Sequence, residues 1–345
     1  MEMNYIGSKR SLIDFLKKEI FDVAQIKKNE TKGIWFADGF AGTGIVGKSF
    51  KSKGMNVLSN DIQYYSFVIN RHYIGVNKVP KYKNLGFDPF EYFNNSKGKK
   101  GFIYNNYCVE GTKGQEYERN YFTSENAMLI DQIREDIEKW HTENRINDDE
   151  YYYLISCLLE AADKVANTAA VYGAFLKHIK KSAQNRINLV PLKIIEKDID
   201  SKIDNSPIEE WILKSEGDIL YLDPPYNHRQ YATNYHMLET IAKYDNPIIY
   251  GKTGLREYSE QKSNWCSKSK VVEELEHVIK NAKFKYIFLS YNNEGIMSLD
   301  EVREVMEKYG VYKLKKQEYK RFKADNNRQN KADNTTEYLH CLIKK

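Results

Sequence analysis

The tetrapeptide Asp223-Pro224-Pro225-Tyr226 constrains the fold of this chain more than any other feature, because it directly follows a short apolar run. That run, residues 218–222, is rich in branched and aromatic residues and has the length and composition of a buried parallel strand. Two consecutive prolines end the strand, since neither can donate a hydrogen bond to a sheet and each fixes its own φ. We therefore predict a stiff turn at the carboxyl end of a strand, the edge where open α/β sheets bind ligands.

The residues of this turn suit the binding of a planar amine. Asp223 offers a carboxylate, Pro224 a carbonyl and Tyr226 an aromatic ring for stacking. The two acceptors match the two N–H bonds of an exocyclic amino group. The alternative is a plain end to the strand with a solvent-facing Asp223, and a cofactor site elsewhere in the chain would favour the chemical role.

A second pattern predicts such a cofactor site. Residues 34–37 form a predicted strand, and a glycine-rich stretch from Asp38 to Gly44 follows it before a helix begins at about Ile45. Asp61 ends a further predicted strand, residues 56–60, roughly twenty positions after the loop, where an acidic residue can accept hydrogen bonds from ribose hydroxyls. Because the Asp38 carboxylate would repel phosphate, a cationic or zwitterionic nucleoside fits this loop better than a pyrophosphate.

These motifs resemble those of the Dam-type alpha group of adenine-N6 DNA methyltransferases. The family order is a short N-terminal motif, D-x-F-x-G-x-G, a target-recognition region and D-P-P-Y, and this chain has residues 4–9, 38–44, a long insert and 223–226 in that order. The resemblance implies an α/β fold, with a doubly wound, Rossmann-like S-adenosylmethionine-dependent methyltransferase sheet. It also implies an inserted target-recognition domain at 81–185, with the catalytic domain at 1–80 and 186–345.

The resemblance further implies a site-specific enzyme that moves a methyl group from S-adenosylmethionine to N6 of an adenine flipped out of duplex DNA. Such an enzyme would be the modification component of a restriction-modification system, with a possible cognate restriction endonuclease as partner. The implied catalytic residues are Asp223, Pro224, Pro225 and Tyr226. The implied cofactor-binding residues are Tyr5, Gly7, Lys9, Asp38, Phe40, Gly42, Gly44, Asp61 and Asp198, the last placed after a predicted third strand.

Hydrophobic periodicity predicts the remaining elements. The expected helices are 12–23, 64–73, 125–140, a long buried helix from 148 to about 180, a short helix after Pro207, and 271–281. The expected strands are 187–195, 285–290 and a closing antiparallel pair at 311–319 and 337–343, while residues 81–114 are expected to form loops with short strands.

Composition narrows the class of protein. No run of about 18 apolar residues suggests a membrane span, and no secretory signal is visible. The four cysteines are scattered and the histidines lack ligand spacing, so we expect free thiols in a reducing cytoplasm and no metal site. The net charge of +5 is mildly basic, but residues 311–345 hold ten Lys/Arg against four acids and residues 252–270 hold five against two. These basic patches either contact DNA phosphates or form ordinary solvated surface.

Three other functions compete with this interpretation. An RNA adenine or guanine amino-methyltransferase could use a related tetrapeptide, but the insert of about 100 residues favours a dedicated duplex reader. A catalytically silent DNA-binding protein on the same fold is disfavoured because every chemically needed position is intact. A nicotinamide-dependent dehydrogenase would fit the glycine loop alone, but it leaves the Asp-Pro-Pro-Tyr turn without a purpose.

Overall fold

The computed structural model describes residues 8–27, 29–320 and 334–345. The chain divides into two compact units. One, here called the sheet unit, comprises 7–77, Ile195–Tyr231 and Gln261–Lys345; the other, the helical unit, contains Lys78–Ile194 and Ala232–Glu260. The segment Ala232–Glu260 therefore packs with the inserted residues, although nothing in the sequence separates it from the segments around it. Within the described ranges, no helix is both long and apolar enough to span a bilayer.

The sheet unit is built on seven strands, numbered along the chain. They are β1 (Trp35–Asp38), β2 (Asn56–Asn60), β3 (Ser201–Asp204), β4 (Glu216–Leu222), β7 (Lys283–Asn292), β8 (Gly310–Lys320) and β9 (Asn334–Lys344). Their spatial order is β3-β2-β1-β4-β7-β9-β8. The first five strands of this order are parallel, and β9 pairs antiparallel with both β7 and β8. The predicted closing antiparallel pair is confirmed, and its connecting residues lie outside the described ranges.

Helices cover both faces of this sheet, because the side chains of β4 are apolar on both of its faces. Ile219 and Tyr221 belong to one apolar cluster, whereas Leu220 and Leu222 belong to a second cluster on the other face. A strand buried on both faces is typical of a parallel sheet, so the predicted doubly wound α/β class is confirmed. The helices of this unit are α1 (Ile13–Ala24), α2 (Ile45–Lys51), α3 (Tyr64–Asn70), α9 (Ile208–Lys214), α12 (Val271–Asn281) and α13 (Leu299–Glu307).

The strand order fixes where a ligand can bind. The chain runs outward from β1 to β2 and β3, then returns with β4 on the opposite side of β1. A topological switch point therefore lies between β1 and β4, and in open α/β sheets ligands bind at the carboxyl ends of the strands there. Asp38 ends β1, and Asp223 follows β4.

The helical unit has a core of amphipathic helices and one two-stranded hairpin. The predicted helix around 125–140 is confirmed. Residues 81–114 form short helices instead of the expected short strands. The Asp88 carboxylate caps the first of these helices, and Pro89 is that helix's first residue. The elements are α4 (Pro89–Asn95), α5 (Phe102–Tyr107), α6 (Val109–Thr112), α7 (Ser124–Thr142), α8 (Asp148–Val165), α11 (His236–Lys243) and the hairpin β5 (Ile249–Tyr250) and β6 (Leu255–Arg256), with α10 (Tyr231–Asn234) at the boundary of the units.

Two predictions fail between residues 148 and 195. The long helix ends at Val165, and no strand forms at 187–195. Residues 166–194 instead form an irregular segment, here called the anchored loop, with a single 3₁₀ turn at Lys181–Gln184. The apolar side chains that suggested regular structure, including Tyr172, Ile187 and Leu189, are buried as anchors of this loop.

Buried asparagines hold the anchored loop in place of a helical hydrogen-bond pattern. Asn167 donates to the carbonyls of Asn120 (2.9 Å) and Leu176 (3.0 Å) and accepts from the Lys180 amide (3.0 Å). Asn126 donates to the Asn185 carbonyl (2.9 Å) and accepts from the Ile187 amide (2.8 Å). Asparagine amides can replace backbone partners in this way, and a pattern of apolar residues cannot reveal it.

The position of Asp198 is also corrected. The third strand is Ser201–Asp204, so Asp198 precedes it instead of following it. In a parallel strand this places Asp198 at the amino end, away from the edge where β1 and β4 present their carboxylates. Asp204 has the position at the carboxyl end, where its carboxylate accepts a hydrogen bond from Trp211 Nε1 at 3.1 Å.

We predict that Asn167→Ala lowers the free energy of unfolding by roughly 2–3 kcal/mol, because it leaves buried backbone groups of the anchored loop unsatisfied. Chemical denaturation of the full chain measures the change. Asn188→Ala is the matched control, since this asparagine is exposed on the same loop, and it should change stability by less than about 0.5 kcal/mol. Equal losses in the two variants would contradict the anchoring role.

Candidate active site

The glycine-rich loop after β1 is tied to both neighbouring strands. The Gly39 amide donates to the Tyr221 carbonyl of β4 (3.0 Å), and the Ala41 amide donates to the Asn60 carbonyl of β2 (2.9 Å). Gly44 has a φ of 73°, and a Cβ atom there would lie 2.6 Å from Asn70 Oδ1. The loop therefore needs glycine at this position both for its backbone conformation and for space.

Gly47 is a further glycine of the motif. With Gly42 and Gly44 it completes the spacing Gly-x-Gly-x-x-Gly at the start of α2. A Cβ at Gly47 would lie 2.7 Å from Ile74 Cδ1, and its amide donates to Asp38 Oδ2 at 3.3 Å. This glycine lets the first turn of the helix pack closely against its neighbours.

Asp38 is a buried carboxylate with an unused acceptor. Its side chain is 1 % exposed, and Oδ1 has no hydrogen-bond partner within the described residues. Burial, followed by repulsion from the Asp223 carboxylate, raises the pKa of Asp38 to about 8, although the Gly47 amide opposes the shift. A buried acceptor of this kind favours a ligand that brings a hydrogen-bond donor or a positive charge.

Asp61 lies across the loop at the carboxyl end of β2. Its Oδ2 accepts from the Gly42 amide and its Oδ1 from the Gln63 amide, both at 2.8 Å. These bonds fix the carboxylate beside the glycine loop. Each carboxylate oxygen has a second lone pair, so Asp61 can also accept hydrogen bonds from ligand hydroxyls.

The turn after β4 is organised by a buried ion-pair network. Lys9 Nζ donates to Asp223 Oδ1 at 2.7 Å and lies 3.3 Å from Glu337 Oε1 on β9. Ser290 Oγ, on β7, donates to the same Glu337 oxygen at 2.5 Å. Lys9 and Glu337 are 5 % and 1 % exposed, whereas the Asp223 side chain is 18 % exposed. One ammonium group is therefore shared between two carboxylates, of which only Asp223 is open to a ligand.

This network sets the protonation of the turn. Burial raises the pKa of Asp223 to about 6, with Lys9 opposing the shift and Glu337 adding to it. Burial alone would lower the pKa of Lys9, but the two carboxylates raise it well above its ordinary value. Near neutral pH the lysine is therefore charged and Asp223 is largely ionised.

Asp223 Oδ2 and the Pro224 carbonyl accept no hydrogen bond from the described residues, so two acceptors remain at the turn. Tyr226 is partly buried against the apolar cluster that contains Trp265, and its carbonyl accepts from the Ile296 amide at 3.2 Å. Phe40 packs edge-on against the same tryptophan, with ring centroids 5.1 Å apart. The aromatic rings of the two motifs thus rest on one cluster.

The structure brings most of the predicted site residues to one edge of the sheet. Those placed at or beside the switch point are Lys9, Asp38, Phe40, Gly42, Gly44, Asp61 and Asp223 to Tyr226. Tyr5 and Gly7 lie outside the described residues, and Asp198 is at the other end of its strand. Glu337 was missed because its strand comes more than 100 positions after the tetrapeptide, and only its pairing beside β7 brings it to Lys9. In the described ranges, no group of three His, Cys, Asp or Glu side chains could hold a metal ion.

Comparison with known proteins identifies the family to which this site belongs. A model described as D12 class N6 adenine-specific DNA methyltransferase matches residues 5–305. Type II methyltransferase M.NlaIII of Neisseria lactamica is 48% identical over 345 residues, and the match covers 99% of each chain. Type II methyltransferase M.CviAII of Paramecium bursaria Chlorella virus 1 is 35% identical, with 93% of each chain covered.

Type II methyltransferase M.FokI of Planomicrobium okeanokoites is 38% identical, and the match covers 99% of this chain and 53% of that protein. The chain therefore spans about half the length of M.FokI and nearly all of M.NlaIII. Since the family model covers most of the chain and includes both motifs, the protein belongs to the D12 class N6 adenine-specific DNA methyltransferases.

Proposed function

We propose that this enzyme uses S-adenosylmethionine as its methyl donor and methylates an adenine that is flipped out of duplex DNA at a specific site. The observation that carries the proposal is that Asp38 and Asp223, at the switch point between β1 and β4, each keep one carboxylate oxygen without a hydrogen-bond partner among the described residues. One suits a cationic nucleoside cofactor, and the other suits the amino group of a base.

The residues of the glycine loop fit this cofactor. The unpartnered Oδ1 of Asp38 would accept from its ammonium group, Asp61 would accept from its ribose hydroxyls, and Phe40, Gly42 and Gly44 would line the loop side. By family resemblance, Tyr5 and Gly7 would also contact it. When bound, S-adenosylmethionine supplies a methyl group made electrophilic by a sulfonium.

Asp223 and Pro224 would bind the adenine amino group. The lone pair of N6 is delocalised into the ring, so the free amine is a poor nucleophile. Hydrogen bonds from its two N–H groups to Asp223 Oδ2 and the Pro224 carbonyl would favour the pyramidal form, in which the lone pair is localised. Pro225 would stiffen the turn, and the Tyr226 ring would stack on the base, which must leave the duplex to reach these groups.

Lys9 would affect methyl transfer through its contact with Asp223 as well as through the cofactor. Its ammonium group holds Oδ1, which leaves Oδ2 oriented toward the base and favours the ionised carboxylate. After transfer, Asp223 would receive one proton of the methylated amine, a step for which its pKa of about 6 suits it better than an ordinary aspartate.

The biological setting is the modification arm of a restriction-modification system, with a cognate restriction endonuclease as partner. The names of relatives as type II methyltransferases support this setting. The helical unit would contribute target recognition in duplex DNA. Four buried cysteines without disulfides support a cytoplasmic location.

We predict that the purified chain transfers labelled methyl groups from S-adenosylmethionine to adenine N6 in duplex DNA, and that Asp223→Asn reduces the rate at least about 100-fold. Cofactor affinity should change little in this variant, because Asp223 is not assigned to the cofactor. Parallel assays with total RNA test the competing acceptor. Equal turnover in the Asp223→Asn variant, or methylation confined to RNA, would overturn the proposal.

The acid limb of the pH profile of kcat/KM should report Asp223. Its ionised form is required, so the rate should fall about tenfold per pH unit below pH 6. Lys9→Met removes a cation and should move this limb to higher pH, whereas Glu337→Gln removes an anion and should move it to lower pH, each by roughly one unit. If both variants lose rate with no shift of the limb, their role is only structural.

Binding of S-adenosylmethionine should release a proton from Asp38. With a pKa of about 8 this group is mostly protonated at pH 7, and a bound cation lowers the pKa, so the expected release is roughly 0.9 proton. Calorimetry in two buffers of different protonation enthalpy measures it. Asp38→Asn should bind more weakly and abolish this release; an unchanged release would contradict the assignment.

A further inference from the structure

The anchored loop is basic and contains no acidic residue. Residues 166–194 contain five Lys/Arg and no Asp or Glu. Lys177, His178, Lys181 and Lys193 are exposed, and none of them pairs with a carboxylate among the described residues. The other two cations serve the loop itself, since Lys180 donates to the Thr168 carbonyl (2.7 Å) and Arg186 to the Asn94 carbonyl (2.6 Å).

Some cations of the two basic patches expected from the sequence already have partners within the protein. Arg256 forms a bidentate pair with Asp245, at 3.0 and 2.7 Å, and Lys268 pairs with Glu301 at 2.8 Å. Lys344 donates to three carbonyls at the end of α12, at 2.6–2.9 Å. Cations that are engaged in this way contribute less to an external partner.

The loop is also held rigidly for a segment with almost no regular secondary structure. Besides Asn167 and Asn126, the Tyr121 hydroxyl donates to the Tyr172 carbonyl (2.6 Å) and the Tyr153 hydroxyl donates to the Leu192 carbonyl (2.8 Å). Tyr172 itself is fully buried and donates to Asp163 at 2.8 Å. A fixed backbone reduces the entropy lost when its side chains engage a partner.

We propose that the anchored loop is a DNA-contacting surface of the helical unit, in which Lys177 and Lys181 contact backbone phosphates. This inference rests on the proposed function, and it assigns part of the duplex contact to one segment. Three exposed lysines, Lys177, Lys181 and Lys193, have no carboxylate partner among the described residues and lie in an acid-free segment, so they complement a polyanion. The exposed amides of Asn185 and Asn188, between these cations, add the donors and acceptors that can reach base edges.

The test is the salt dependence of DNA binding by the full chain. Lys177→Gln/Lys181→Gln removes two phosphate contacts, so the slope of log K against log salt should become shallower by about 1.8 with a fluorescent duplex as probe. Affinity at low salt should fall at least about tenfold, with the binding of S-adenosylmethionine unchanged as evidence of folding.

Lys283→Gln/Lys285→Gln is the matched control. It removes the same charge from two exposed lysines at the amino end of β7, the edge opposite the site. If the loop variant keeps the slope and affinity of this control, the loop does not contact DNA, although wild-type methylation would still support the proposed function. A wild-type chain that binds no duplex and methylates none would overturn both proposals.

Discussion

The site depends on one buried ammonium group shared between two carboxylates. Lys9 is nearly inaccessible, and it contacts Asp223 at 2.7 Å and Glu337 at 3.3 Å. A buried charge without partners would be strongly destabilising, so the buried Lys9 ammonium depends on these carboxylates. The same contacts leave one oxygen of Asp223 open at the switch point. The interaction that makes the charges tolerable therefore also orients the proposed catalytic carboxylate.

Opposed electrostatic effects keep the two motif aspartates in different states. Among the described residues Asp38 contacts backbone amides and no cation, so burial raises its pKa to about 8, whereas Lys9 limits the rise of the pKa of Asp223 to about 6. Asp38 therefore favours a ligand that brings a positive charge, whereas Asp223 can accept hydrogen bonds from a ligand that is not charged. Because the two acids lie on adjacent strands, this difference suits the carboxyl edge of the sheet to a cationic ligand bound beside an amino group.

Local sequence patterns predicted most of the sheet, because the short, continuous apolar runs of strands that are buried on both faces have few other structural interpretations. The strand before the double proline, the glycine loop and the closing antiparallel pair all lie where their residues indicated. The same reasoning failed at 148–195, where apolar residues suggested a helix and a strand. Buried asparagines supply the hydrogen bonds of the anchored loop there, and the spacing of apolar side chains carries no information about them.

The sequence alone determined the fold class and the two motifs of the site, since proline, glycine and strand-length apolar runs act within a few residues of the chain. Tertiary structure alone decided that Lys9 and Glu337 meet at Asp223, that Asp198 is at the far end of its strand, and that the segment 232–260 packs with the helical unit. These outcomes depend on which strands become neighbours and in which direction they run. Strand order is set by packing across the whole sheet, and no short segment of the chain encodes it.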